Sequence, residues 1–188
     1  MNSTHIEDHQ FNNINKALGK GTYESCQFEN CDFEEFNFSE YRFIDCSFLN
    51  SNFSNCFLTE CMLNGIHFTN CKLLGVSFEK CASLFFSVNF KDCILDFASF
   101  YSQKMKNTTF ENCSMKNVDL GHTDLESSSF DHCNLLNSIF ENTKLKKADL
   151  STAFNFNIDP ENNDIQECSF SQNNLHGLLD KYKIKIKV

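Results

Sequence analysis

Tryptophan is absent from this 188-residue chain, proline occurs once, glycine six times, and Arg42 is the only arginine. With a formal charge of −9, the chain lacks the clustered Lys and Arg that neutralise phosphates, which argues against direct nucleic-acid binding. No run approaches the roughly 18 apolar residues of a spanning helix, and residues 1–10 lack a basic-then-apolar leader, so we read the chain as cytoplasmic and without a membrane partner. No Gly-rich phosphate loop, Ser elbow or paired histidines occurs, so no catalytic residue and no cofactor is assigned. What is abundant is Phe, with 22 residues, and Cys, with 11. That many Phe signal a packed interior, here assembled repetitively.

The repetition has a period of five. Large apolar residues recur at Tyr23, Phe28, Phe33, Phe38, Phe43, Phe48, Phe53, Leu58, Leu63, Phe68, Leu73 and Phe78, and again at every fifth residue from Phe90 to Leu150. Such spacing rotates by about 140° per step on a helix and alternates faces on a flat strand, so neither element holds it. The chain must turn every five residues. If each pentapeptide forms one side of a square coil, every central residue points inward and stacks on the coil beneath, at roughly 4.8 Å.

A second period gives the number of sides. FENC at Phe28, FLNS at Phe48, FTNC at Phe68, FKDC at Phe90, FENC at Phe110 and FDHC at Phe130 recur at steps of 20, 20, 22, 20 and 20. Four sides per coil follow. The step of 22 places a two-residue insertion within 79–89, where Ser83 stands at a large apolar position beside Leu84, Phe85 and Phe86, and predicts a bulge or seam. Stacking also aligns Asn30, Asn50, Asn70, Asp92, Asn112 and His132 in one column, which reads as a hydrogen-bonded ladder at a turn.

All 11 Cys lie two residues before a central position. That is a packing rule, because a small, weakly polar side chain fits a corner beside a large one. An odd count without a secretory signal does not read as a disulfide framework, and a column of thiols does not gather four ligands around one zinc ion, so no metal site is assigned. His132 lies in the outward column while Cys133 points inward, which separates the one tempting nucleophile pair.

Two of five positions face inward, so charge lies on the faces. Between residues 21 and 60, Glu24, Glu29, Asp32, Glu34, Glu35, Glu40, Asp45 and Glu60 stand against Arg42 alone, a net of −7, whereas residues 61–153 hold ten acids and nine bases. Glu29, Asp32, Glu34, Glu35, Glu40 and Asp45 are therefore the candidate partner-binding surface. Acidity of this kind either attracts a basic partner or keeps a β-rod soluble and its edges unpaired. After Ala153, Pro160 with Asn162 and Asn163 predicts a turn. Leu175, Leu178, Leu179 and Tyr182 fall at helical spacing, predicting a helix over about 173–182 with one apolar stripe, followed by a strand over 184–188. That stripe either caps its own coil or meets a second chain. Residues 1–20, with Phe11, Ile14 and Leu18 at helical spacing, read as a short N-terminal cap or a disordered segment.

The central Phe or Leu with a small residue two before it, as in Cys26-Gln27-Phe28 and Ala148-Asp149-Leu150, resembles the pentapeptide-repeat family over residues 21–153. The resemblance implies an all-β solenoid, a right-handed quadrilateral β-helix of about six coils rising some 30 Å, with the C-terminal cap over 154–188. The ending, with Asn157-Ile158-Asp159-Pro160-Glu161, Cys168-Ser169-Phe170 and Gly177-Leu178-Leu179-Asp180-Lys181-Tyr182, resembles the Qnr-type and microcin-immunity members. That likeness implies an acidic DNA mimic that binds a type II topoisomerase, DNA gyrase or topoisomerase IV, protects it from a quinolone or peptide toxin, and forms a homodimer through its C-terminal end. The coils lack the long looped insertions of many Qnr-type members, which makes the loop-poor microcin-immunity type the closer comparison. The competing reading is a rigid scaffold or adaptor for another protein.

Overall fold

Each of the fifth-residue apolar positions from Tyr23 to Leu150 is buried in the computed structural model, which describes residues 4–185. The chain winds as a four-sided β-solenoid of about eight turns. Corners form because the residue two after nearly every centre takes the left-handed region, as at Asn30 (φ 54°), Asn50 (φ 50°), Asn70 (φ 53°) and Asn112 (φ 53°). Asn and Asp tolerate that conformation better than other L-residues, and this accounts for their frequency at the corners. Gly75, φ +67°, takes such a corner where a Cβ would lie 2.6 Å from the Asn55 amide oxygen.

All strand pairing is parallel, coil on coil. Side one stacks β1 (Thr4–Glu7), β3 (Gly21–Glu24), β5 (Arg42–Ile44) and β7 (Met62–Asn64). Side two is a nine-stranded sheet of β2 (Gln10–Asn12), β4 (Gln27–Glu29), β6 (Ser47–Leu49), β8 (Ile66–Thr69), β9 (Val88–Lys91), β10 (Thr109–Glu111), β11 (Ser129–Asp131), β12 (Asp149–Leu150) and β13 (Ser169–Phe170). Sides three and four are held by single bridges, such as Asp32–Asn52–Lys72 and Ser77–Ser99–Asp119–Ile139.

The rod is longer than the expected six coils, and its side-two sheet spans about 38 Å at strand spacing. Extra coils come from both ends. At the N-terminus β1 and β2 pair on β3 and β4, so the helical spacing of Phe11, Ile14 and Leu18 resolves into another coil. Phe11 aligns with Phe28, 17 residues on, and this short step hid the coil from a 20-residue period. At the C-terminus Phe170 aligns with Leu150 on the regular step.

Inside, the side-two rings form one stack. Centroids lie 4.7 Å apart for Phe11–Phe28, 4.8 Å for Phe28–Phe48, 5.1 Å for Phe48–Phe68, 5.4 Å for Phe68–Phe90, 5.3 Å for Phe90–Phe110 and 4.9 Å for Phe110–Phe130. The thiols do more than fill space. Cys46, Cys71 and Cys133 donate to the carbonyls of Tyr23, Phe48 and Phe110 on the coil beneath at 3.3, 3.3 and 3.4 Å. Thr123 and Ser128 make the equivalent bond, both at 2.9 Å, to Phe100 and Met105. The position takes small side chains, and where one carries a donor it can bond the coil beneath, whereas Val76, Ala98, Val118 and Ala148 only pack there.

Between Phe78 and Phe90 the coil is irregular. Phe86, rather than residue 83, fills the centre of side one, with its ring 6.3 Å from Phe78, and Leu84 and Phe85 are pushed out into solvent. On the next coil the buried Gln103 amide donates to the carbonyls of Phe78 (2.8 Å) and Cys81 (3.4 Å), bonding carbonyls at the edge of the displaced segment.

The helical region near the C-terminus is shorter and more broken than a helix over 173–182. Among the described residues only α1 (His176–Leu179) is α-helical, between single 3-10 turns at Gln172–Asn174 and Asp180–Tyr182. Ile184 and Lys185, the start of the expected strand, carry no strand pairing, and residues 186–188 lie outside the described residues.

Candidate partner-binding surfaces

The six acidic candidates encircle one coil instead of sharing a face. Glu29 ends β4 on side two; Asp32 and Glu34 lie along side three; Glu35 occupies the corner after it, and Glu40 and Asp45 the corners either side of β5. Glu35, Glu40 and Asp45 are exposed, and Glu29, Asp32 and Glu34 are half-buried. Asp32 is partly committed to structure: its carboxylate accepts from the Glu34 N–H and from the Asn52 amide, both at 3.2 Å. Glu40 pairs with Lys20 at 2.9 Å. The N-terminal coil, unrecognised in the sequence, adds exposed Glu7 and Asp8 to the same end.

Farther along the rod the charges interleave. Lys104, Asp124, Lys144 and Asp164 bridge successive coils on side one. Lys106 reaches Glu126 at 2.5 Å and Asp124 at 3.7 Å, and its ammonium holds the Glu126 carboxyl below the usual range. Lys91 and Glu111 pair at 2.7 Å on side two. Negative potential is thus concentrated at the N-terminal end.

At and beside the corner between sides three and four, three large apolar side chains point outward among polar ones, a feature the sequence reading did not extract. Phe57 and Ile139 are outward residues of side four, and Phe97 is a corner residue two coils from each. All three are exposed, as are Tyr101 and Leu136 nearby. The signal was available once the register was known, because a large apolar residue at an outward position has no packing role. Side-four bridging also breaks here, running Asn37–Phe57 and then Ser77–Ser99, with none between Phe57 and Ser77 among the described residues. A depression of about 290 Å³ opens there, walled by Phe57, Gly75, Ser77 and Lys80.

At the C-terminal end the predicted stripe divides. Leu178 packs on the core and Leu179 is half-buried, but Leu175 and Tyr182 are exposed, with Ile184 beyond them. Gly177 is what lets α1 sit down: a Cβ there would fall on the Phe156 carbonyl oxygen and lie 2.7 Å from its ring carbons. The Ile158 N–H donates to the Gly177 carbonyl at 2.9 Å. Lys181 closes the cap, bridging Asp159 at 2.6 Å and Glu161 at 2.7 Å, and the Tyr182 hydroxyl donates to Glu161 at 2.9 Å. The Lys181 ammonium holds both carboxyls below their ordinary values.

The thiols are placed for packing. Burial pushes Cys46 and Cys56 up to about 12, which keeps them protonated and poorly nucleophilic. His132 turns outward to Asp131 at 2.8 Å, away from the inward Cys133.

Two family models match: a pentapeptide repeat region over residues 22–83, and pentapeptide repeats (8 copies) over residues 93–131 and 119–154. Among solved structures, trypsin-treated R167E QnrB1, a plasmid-mediated fluoroquinolone resistance protein, superposes with a TM-score of 0.65 at 15% identity, covering 98% of each chain. Full-length QnrB1 gives a TM-score of 0.55 at 15% identity, covering 96% of this chain and 100% of its own. At that identity the likeness is one of fold. No curated protein matches the chain in sequence.

Proposed function

Because the chain belongs to the pentapeptide-repeat family, we propose that it acts as a rigid binding rod, whose acidic N-terminal end engages a basic, DNA-binding surface of a type II topoisomerase such as gyrase. The observation that carries this reading is the charge distribution: a net of −7 over residues 21–60, on a rod whose remaining coils are nearly neutral. A stiff, acidic, duplex-like edge can occupy a site shaped for DNA without itself being a substrate, and clustered charge speeds encounter in a salt-dependent way. In this reading two rods join through the capped ends, burying Leu175, Tyr182 and Ile184 and doubling the length. The likeness of fold to QnrB1 supports quinolone protection as the biological outcome. Gyrase supercoiling and cleavage-complex assays, with and without a quinolone and across a salt series, test it. Salt-sensitive inhibition or relief of cleavage is expected, and no effect at about micromolar protein sinks it.

The second reading is an adaptor for a different protein. The apolar corner at Phe57, Phe97 and Ile139 favours it, since acidity alone would not place large apolar side chains outward.

A further inference from the structure

Phe97 is held in the left-handed region at φ 62° and is 62% exposed. The equivalent corner is Glu35, Asn55, Gly75, Asn117 and Asn137 on the other coils, residues that are small or polar. A Phe in that conformation is unfavourable, and at this exposure it gains little packing in return. Phe57, 57% exposed, and Ile139, 51% exposed, flank it two coils away on either side. Two coils rise about 9.6 Å. An α-helix repeats one face every seven residues, about 10.5 Å. Along the rod axis the three apolar knobs are thus spaced about as an i, i+7, i+14 stripe requires, with Phe97 set two residues around the corner from the column of Phe57 and Ile139.

Two hollows lie along the same edge. The depression at Gly75 and Ser77 follows Phe57. A second, about 620 Å³, lies beyond Ile139 between Leu136, Phe156 and Gly177. The flanks are acidic. Glu79, Asp96, Asp119 and Glu141 lie beside this edge, and none is in a salt bridge among the described residues. Lys80 and Lys116 are the bases there.

We propose that this corner is a docking edge for a basic amphipathic α-helix of a partner protein, seated by Phe57, Phe97 and Ile139 and flanked by those carboxylates. Apolar spacing selects a helix, and the acidic flanks select Lys or Arg beside its stripe. The proposal gives the adaptor reading a partner chemistry and does not depend on a topoisomerase, so the gyrase assay can fail without touching it.

The probe is a fluorescein-labelled Ala/Lys helical peptide of about 21 residues with leucines at i, i+7 and i+14, followed by anisotropy. Its control has the same composition with the leucines scattered around the helix. Phe97→Asn is the informative variant, because Asn suits the corner and leaves the fold at least as stable. The expected result is that Phe97→Asn and the scattered peptide each weaken binding about tenfold, and that added salt weakens it further. Ile139→Ser gives a second reading on the same edge, with a similar loss. Equal affinity for Phe97→Asn and wild type, equal affinity for the two peptides, or no binding up to about millimolar peptide overturns the proposal.

Discussion

Replacing Gly177 with Ala isolates how the C-terminal cap is held. Two effects oppose each other. Ala is the better helix former by about 1 kcal/mol, so propensity alone predicts stabilisation. The new methyl would meet backbone at the Phe156 carbonyl and ring carbons at 2.7 Å, contacts that a flexible side chain cannot relieve. Overpacking of this kind costs about 1–3 kcal/mol, and a shift of α1 also weakens the Ile158–Gly177 hydrogen bond, worth about 1 kcal/mol. The net is a loss of about 2 kcal/mol. If the rod unfolds as one unit, Tm falls by about 4–8 °C. If the cap opens alone, hydrogen exchange at residues 172–182 accelerates about thirtyfold while the coils stay protected. An unchanged or raised Tm with unchanged exchange would refute the packing account and leave helix propensity in control.

Three other outcomes follow from the same structure. Phe110→Ala removes a ring stacked between Phe90 and Phe130 and should cost about 3–5 kcal/mol in urea denaturation; a loss below about 1.5 kcal/mol would mean the coils collapse around the gap. Asp159 and Glu161 have depressed folded pKa values, so the stability they contribute is present above their unfolded values, near 3.8 and 4.5, and is lost as pH falls through the folded ones. Lys181→Met should therefore destabilise the cap at neutral pH and differ less and less from wild type below about pH 4; a pH-independent difference would contradict the ion-pair account. Among the thiols, Cys168 is the only one not fully buried, so it should react first with an aromatic disulfide reagent, and the other ten only at the rate of unfolding; rapid modification of more than one thiol would contradict their burial.

The coils were legible because the inward residues obey one rule without exception over long runs, as Phe28 to Phe78 and Phe90 to Leu150 do. The two-residue insertion was legible for the same reason, since a step of 22 stands out against 20. What a fixed period cannot show is a coil of different circumference: Phe11 meets Phe28 across 17 residues, and the N-terminal coil was read as a cap. Nor does it show which residue fills an irregular centre, where Phe86 prevailed because its ring reaches Phe78. The acidic residues were identified by count, but their arrangement was not. The chain turns a corner every five residues, so residues one repeat apart, such as Glu40 and Asp45, end on different corners. The apolar edge went unread because Phe57 stands one position before a centre and Phe97 two after one, and a Phe in a Phe-rich chain is easily assigned to the core.

The most direct measurement of the central proposal is displacement of a fluorescent DNA duplex from gyrase by this protein, at several salt concentrations. Wild type is set against a variant in which Glu29, Asp32, Glu34, Glu35, Glu40 and Asp45 are changed to their amides. Competition that weakens with salt, and is lost in the amide variant while its Tm is retained, is the predicted result. No displacement by wild type, or equal displacement by both proteins, would contradict the proposal that the acidic end occupies the DNA site.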